Sequence, residues 1–207
     1  MSTETFELMR RWDAKDFSLQ LALQCAPLLS GLKCSNLFII SGEALNRLLL
    51  FLARTDISAH LLLPDGDRLI FLLYREAELA AYVRRREVAD FLCEAGYDAL
   101  SLREMLDCFA RRYRAYKDGR RGFPHELGLF LGYPAEDVRG FIANDGENSL
   151  CSGYWKVYVR PTEKKRLFTR FEQEKERLVR LVMQGLRPEE MVSDRGRLNA
   201  AALPQAR

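Results

Sequence analysis

The chain has 207 residues, 48% of them hydrophobic and 29% charged, with a formal net charge of +3. That length is enough for one well-cored domain, and that apolar content excludes an intrinsically disordered chain. The first sixteen residues carry acids and no apolar core, and the nearest apolar run, Leu19 to Leu32, is interrupted by Gln24 and Pro27, so neither a signal peptide nor a membrane span is expected.

In chain order, Ser18 to Ser30 has helical spacing through Leu19, Leu21, Ala22, Leu23 and Ala26, with Pro27 set to kink or end the helix. Asn36 to Ile40 reads as a short buried strand. A second helix starts at Ser41-Gly42-Glu43 and presents Leu45, Leu48, Leu49 and Leu52 on one face. Ala59 to Leu63 and Leu69 to Tyr74 are apolar runs around Pro64-Asp65-Gly66-Asp67, the pattern of a β-hairpin in which Gly66 supplies the positive φ. Both faces of these strands are apolar, which predicts a sheet covered on both sides.

Glu76 to Ala95 and Ser101 to Lys117 read as two helices, with Gly96 as a C-cap and Ser101 and Glu104 as a capping box. The segment Phe123 to Pro134 reads as a short helix and the start of another. Asn144 to Asn148 is a turn, Tyr154 to Val159 alternates as a fourth strand, and Thr162 to Gly185 is a long amphipathic helix. The expected organisation is a single globular domain over residues 1–185 and a flexible tail over residues 186–207.

The cysteines, Cys25, Cys34, Cys93, Cys108 and Cys151, are scattered without any C-x-x-C spacing, which argues for reduced cytoplasmic thiols and against a disulfide framework or a zinc site. With only His60 and His125 available, no His-rich metal centre is expected. The basic residues of segment 103–121 outnumber its acids and suggest a basic face.

The densest chemistry lies in Phe123 to Pro134. Pro124 and Glu126 suit the first turn of a helix, Gly132 suits its stop, and Glu136 and Asp137 suit the first turn of the next. Gly128 lies mid-helix, where glycine costs about 0.5 to 1 kcal/mol relative to alanine, and so points to close approach of another group. His125 is the candidate acid, base or ligand, but adjacent helical residues point about 100° apart, so a His125–Glu126 dyad is not implied. Further along, Tyr154, Lys156 and Tyr158 share one strand face and Trp155 and Val157 the other, either as core plus solvated face or as an aromatic wall with a lysine for a planar or anionic ligand.

Three helices over residues 101–143 also fit a helix-turn-helix, yet its second helix would open Pro134-Ala135-Glu136-Asp137 and present carboxylates to phosphates, which argues against nucleic acid.

The stretches Phe123 to Val138, Gly140-Phe141-Ile142, Gly146, Asn148 and Gly153 to Tyr158 resemble the bacterial family of domain of unknown function 3793 (DUF3793). Cys25-Ala26-Pro27, Gly31-Leu32-Lys33 and Asn36-Leu37-Phe38 are similar to its opening motif, with Cys34 standing where that pattern has proline. The resemblance covers roughly Leu21 to Phe171 and implies no particular activity, cofactor or catalytic residue.

The residues together predict an α+β or three-layer α/β domain: a small, mostly antiparallel four-stranded sheet with a β-hairpin, wrapped by about seven helices. They point to a cytoplasmic binding or regulatory module for a small molecule or protein partner, with His125, Glu126, Gly128, Tyr154, Trp155 and Lys156 as candidate ligand-binding residues. The alternatives are an enzyme with His125 as general acid or base, and a helix-turn-helix nucleic-acid binder over residues 101–143.

Overall fold

A computed structural model describes residues 16–192. In it α1 (Phe17–Leu29) starts at Asp16, whose carboxylate accepts from the Leu19 amide, and it is followed by β1 (Ser35–Ser41) and, after a 3-10 turn, α2 (Leu45–Leu52). The hairpin strands β2 (Ser58–Asp65) and β3 (Arg68–Tyr74) turn at Gly66, with φ of +63°. The order β1-β3-β2 is antiparallel throughout, so β3 is central.

Alternation along β3 sends Ile70 and Leu72 to one face and Phe71 and Leu73 to the other. Both faces are core. The first is covered by α3 (Glu76–Val83), α4 (Arg86–Glu94), α5 (Leu102–Lys117), α6 (Leu127–Phe130) and α7 (Ala135–Ala143). The second is covered by α1, α2 and α8 (Pro161–Met183). This is the two-sided burial expected from the hairpin.

Both sheet edges are closed by side chains. On β1, the Gln24 carboxamide donates to the Ile39 carbonyl at 3.0 Å and accepts from the Ile39 amide at 2.9 Å. On β2, a bulge between Leu61 and Leu63 takes Leu62 out of the ladder, and Arg114 Nε donates to its carbonyl at 2.7 Å. The expected fourth strand does not join either edge. Instead β4 (Cys151–Ser152) and β5 (Lys156–Val157) make a separate two-stranded ribbon, which corrects the four-stranded sheet to sheets of three and two strands.

The described residues contain eight α-helices rather than about seven, because Glu76 to Ala95 is broken at Arg84-Arg85. Its apolar stripe explains the break. Leu79, Tyr82 and Val83 keep helical spacing, but the next buried residue is Val88, five positions on, and a continuous helix would swing it off the core face.

Beyond Gly185, a 3-10 turn at Pro188–Met191 packs against α1 and buries Met191; residues 193–207 lie outside the described residues.

Polar groups stitch the first helix to the sheet. The buried Arg75 pairs with Asp56 and donates to the Leu29 carbonyl at the end of α1. Lys33 is buried in the α1–β1 connection, where Nζ donates to Asn36 Oδ1 at 2.9 Å and lies 5.2 Å from the Tyr133 ring centroid. Burial pushes its ammonium from 10.5 down to about 8, against the opposing influence of the Cys34 and Cys25 thiols. A folded-state pKa below the unfolded one contributes stability that is present above pH 10.5 and lost as pH falls through about 8.

Cys25, pushed up to about 12 by burial, and Cys34, also raised by burial, work in the opposite sense and lose their contribution as pH rises past 9. The difference between Lys33→Met and the unaltered protein isolates the lysine. In urea titrations, the advantage of the variant shrinks by on the order of 3 kcal/mol between pH 7 and the alkaline limit. A difference that does not vary with pH would refute the depressed lysine.

Candidate functional site

The conspicuous Phe123 to Pro134 segment forms α6 and the turn into α7, pinned from beneath by two hydroxyls. Ser35 donates to the Phe130 carbonyl and Tyr82 to the Tyr133 carbonyl. A Cβ on Gly128 would come within 2.8 Å of Val138 Cγ2, so this glycine lets α6 and α7 close on each other. Gly132, with φ of +71°, ends α6, and a Cβ there would meet the Cys34 sulfur at 2.9 Å. The close approach expected of Gly128 is thus one of helix packing.

His125 and Glu126 part company. Glu126 turns inward, where Oε1 accepts from the Tyr97 hydroxyl and from Arg112 Nη1, each at 3.0 Å. The Arg112 guanidinium also lies 4.4 Å from the Tyr97 ring centroid. Tyr97 is pushed well above its ordinary pKa, first by burial and then by the Glu126 charge. The three groups form a closed buried unit. His125 turns outward, half-buried, between the rings of Phe123 (5.3 Å) and Phe141 (5.8 Å). Its imidazole has no hydrogen-bond partner among the described residues.

The second patch divides by face as the alternation predicts. Trp155 and Val157 are buried, while Tyr154, Lys156 and Tyr158 are half-buried. Trp155 stacks on Tyr133 at 4.8 Å and meets Phe168 edge-on at 4.6 Å. Tyr154 donates to Glu172 at 2.8 Å and packs on Phe171. Lys156 donates to the Gly146 carbonyl.

Asp137 governs this region, although sequence reasoning gave it only a helix-start role. Its buried carboxylate accepts from the Trp155 indole at 2.8 Å, from the Tyr158 amide at 2.8 Å and from the Val159 amide at 3.2 Å. The buried Lys164 ammonium sits 3.7 Å away and donates to Glu136 at 3.0 Å. Burial alone would raise the Glu136 carboxyl, but hydrogen bonds from Arg160 and Lys164 hold it below its ordinary value. One signal for this cluster was present in the sequence: Lys164 precedes Phe168 and Phe171 at i, i+4 and i+7, so the apolar stripe of α8 places it inside. A buried lysine needs a carboxylate partner or, like Lys33, a lowered pKa.

The two candidate patches meet only through intermediaries. Phe141, the neighbour of His125, packs against Gly146, where a Cβ would lie 3.0 Å from its ring, and Gly146 in turn holds Lys156. Of the six sequence candidates, Glu126, Gly128, Tyr154 and Trp155 are engaged in packing and internal pairing. His125 and Lys156 are linked only through Phe141 and Gly146.

A strip of rings leads from the buried Tyr113 outward: Tyr113 to Tyr116 at 6.2 Å, Tyr116 to Phe123 at 5.2 Å, then the half-buried His125 and Phe141. Phe123 is 42% exposed. Arg121, two residues before it, is exposed and has no ion-pair partner among the described residues. The start of α7, by contrast, is closed by the Asp137 and Glu136 pairs. Among the described residues, no three His, Cys, Asp or Glu side chains converge where a metal ion could sit, and no helix is long and apolar enough to cross a membrane.

The family described as "Protein of unknown function (DUF3793)" matches residues 21–192, most of the chain and both patches. The chain belongs to the DUF3793 family. No curated protein and no solved structure matches it.

The divergence of neighbours in this DUF3793 protein is measurable. Glu126→Ala leaves Arg112 beside a buried tyrosine without its carboxylate and costs about 3 kcal/mol, and Asp137→Ala costs a similar amount. His125→Ala changes stability by less than about 0.5 kcal/mol. Chemical denaturation of the three variants checks this ordering. Equal losses at 125 and 126 would contradict the outward placement of the histidine.

Proposed function

We propose that this protein is a cytoplasmic binding module whose ligand is a small planar anion stacked on Phe123, with the His125 imidazole, set at 73° to that ring, at the ligand's edge. The observation that carries this reading is the ring strip Tyr116–Phe123–His125–Phe141, in which Phe123 is exposed and the half-buried imidazole of His125 has no hydrogen-bond partner among the described residues. The exposed Phe123 ring offers a π-face to a flat ligand, and the free imidazole nitrogens offer one donor and one acceptor at its edge.

Arg121 precedes the strip, and Lys156 lies beyond Phe141 with donors left after its bond to Gly146, so both ends carry positive charge for an anionic group. The five cysteines, all unpaired, favour a reducing compartment.

The acid–base alternative draws less support. His125 has two phenyl rings as its ring neighbours, and the adjacent carboxylate of Glu126 is committed to Arg112 and Tyr97.

The chain contains only two histidines, so their imidazole resonances can be assigned with one variant. Titration with adenosine monophosphate and with flavin mononucleotide should move the His125 signal and leave that of His60 in place. Phe123→Ala should weaken binding about tenfold, since stacking on one ring contributes roughly 1 to 3 kcal/mol. Neither nucleotide moving His125 at millimolar concentration would reject the reading.

A further inference from the structure

A second opening lies away from the ring strip, between α3, α4 and the connection into α5. It is a cleft of about 330 Å³ walled by Ala80, Val83, Leu92, Leu100 and Met105, with the buried ring of Tyr97 as its floor. The Tyr97 hydroxyl is bound to Glu126, so this lining residue adds no free polar tip to the cleft. The break between α3 and α4 makes this space: a continuous helix would have set Arg84 and Ala89, five positions apart, on different faces, whereas both now line the opening.

Polar groups stand at the rim. Ser101 is engaged with Glu104 in the α5 capping box, and the Asp98 carboxylate beside Cys93 raises that thiol's pKa. Arg84 is exposed and has no hydrogen-bond or ion-pair partner among the described residues. Ala99, also at the rim, is held at φ of +56°, a left-handed conformation that costs a non-glycine residue about 1 kcal/mol and recurs at ligand clamps.

We propose that this cleft binds a small amphiphile consisting of one apolar chain and one carboxylate, the chain lying on Tyr97 between α3 and α4 and the carboxylate on Arg84. The volume is at the small end for ligand sites, which suits a single chain better than a ring system. A lone guanidinium fork matches a carboxylate bidentately. The site uses none of the residues of the proposed ring strip, so either can fail without the other.

Cys93 lines the cleft and is the exposed thiol among the five cysteines, so it reports occupancy in the unaltered protein. Sodium octanoate should bind saturably in calorimetry and slow modification of Cys93 by a disulfide reagent. Octanol and octylammonium, with the same chain and a different head, should bind about tenfold more weakly or less. Arg84→Gln, a change at an exposed side chain, should reduce octanoate to the level of octanol. Equal binding of the three probes, or an unchanged affinity in Arg84→Gln, would overturn the carboxylate assignment. Octanoate that fails to bind, or binds without protecting Cys93, would overturn the cleft as the site.

Discussion

A three-stranded sheet that is apolar on both faces constrains everything else in this molecule. Burying Ile70 and Leu72 on one side of β3 and Phe71 and Leu73 on the other demands helices above and below, and the chain supplies α1, α2 and α8 on one side and α3 to α7 on the other. With so narrow a sheet, two of three strands are edges, and exposed edges recruit other strands. Gln24 and Arg114 remove that hazard by occupying backbone groups of Ile39 and Leu62. The β4–β5 ribbon stands apart from this sheet, and a different device must hold it in place.

That device is electrostatic. Asp137 gathers the Trp155 indole, two backbone amides and the Lys164 ammonium, so a carboxylate at the start of α7 fastens both the ribbon and α8. Glu126 does the equivalent work on the other flank by holding Tyr97 and Arg112. Charges buried this way are stable only when paired, so each pair fixes a single arrangement of the elements it joins. These two acids absorb most of the polar chemistry that made the central motif conspicuous. Phe123 and His125 are left at the surface, and Tyr97 lines a cleft.

Local signals were legible wherever a residue acts through its own backbone. Gly66 at the hairpin, Gly96 and Gly132 at helix ends, and the Ser101–Glu104 capping box all lie where their chemistry places them. The outward turn of His125 away from Glu126 is set in the turn that precedes α6, not within a helix. The break at Arg84-Arg85 was readable in principle, since the apolar spacing slips there, but two short helices and one long one share the same propensities. The role of Asp137 was not readable from its own neighbourhood, because an acid in a first helical turn already has a local explanation. Its partners stand 18 to 22 residues away.

By itself, then, the sequence determined the element types, most of their boundaries, the two-sided burial of the hairpin and membership in the DUF3793 family. These rest on periodicity, turn chemistry and motif, all of which act over a few residues or are carried by identity. Only the tertiary structure decided that the fourth strand stands apart, that Glu126 and Trp155 face inward while His125 faces outward, and that a cleft opens beside Tyr97. Each of those outcomes depends on contacts between residues distant in sequence, and those contacts exist only once the layers have closed.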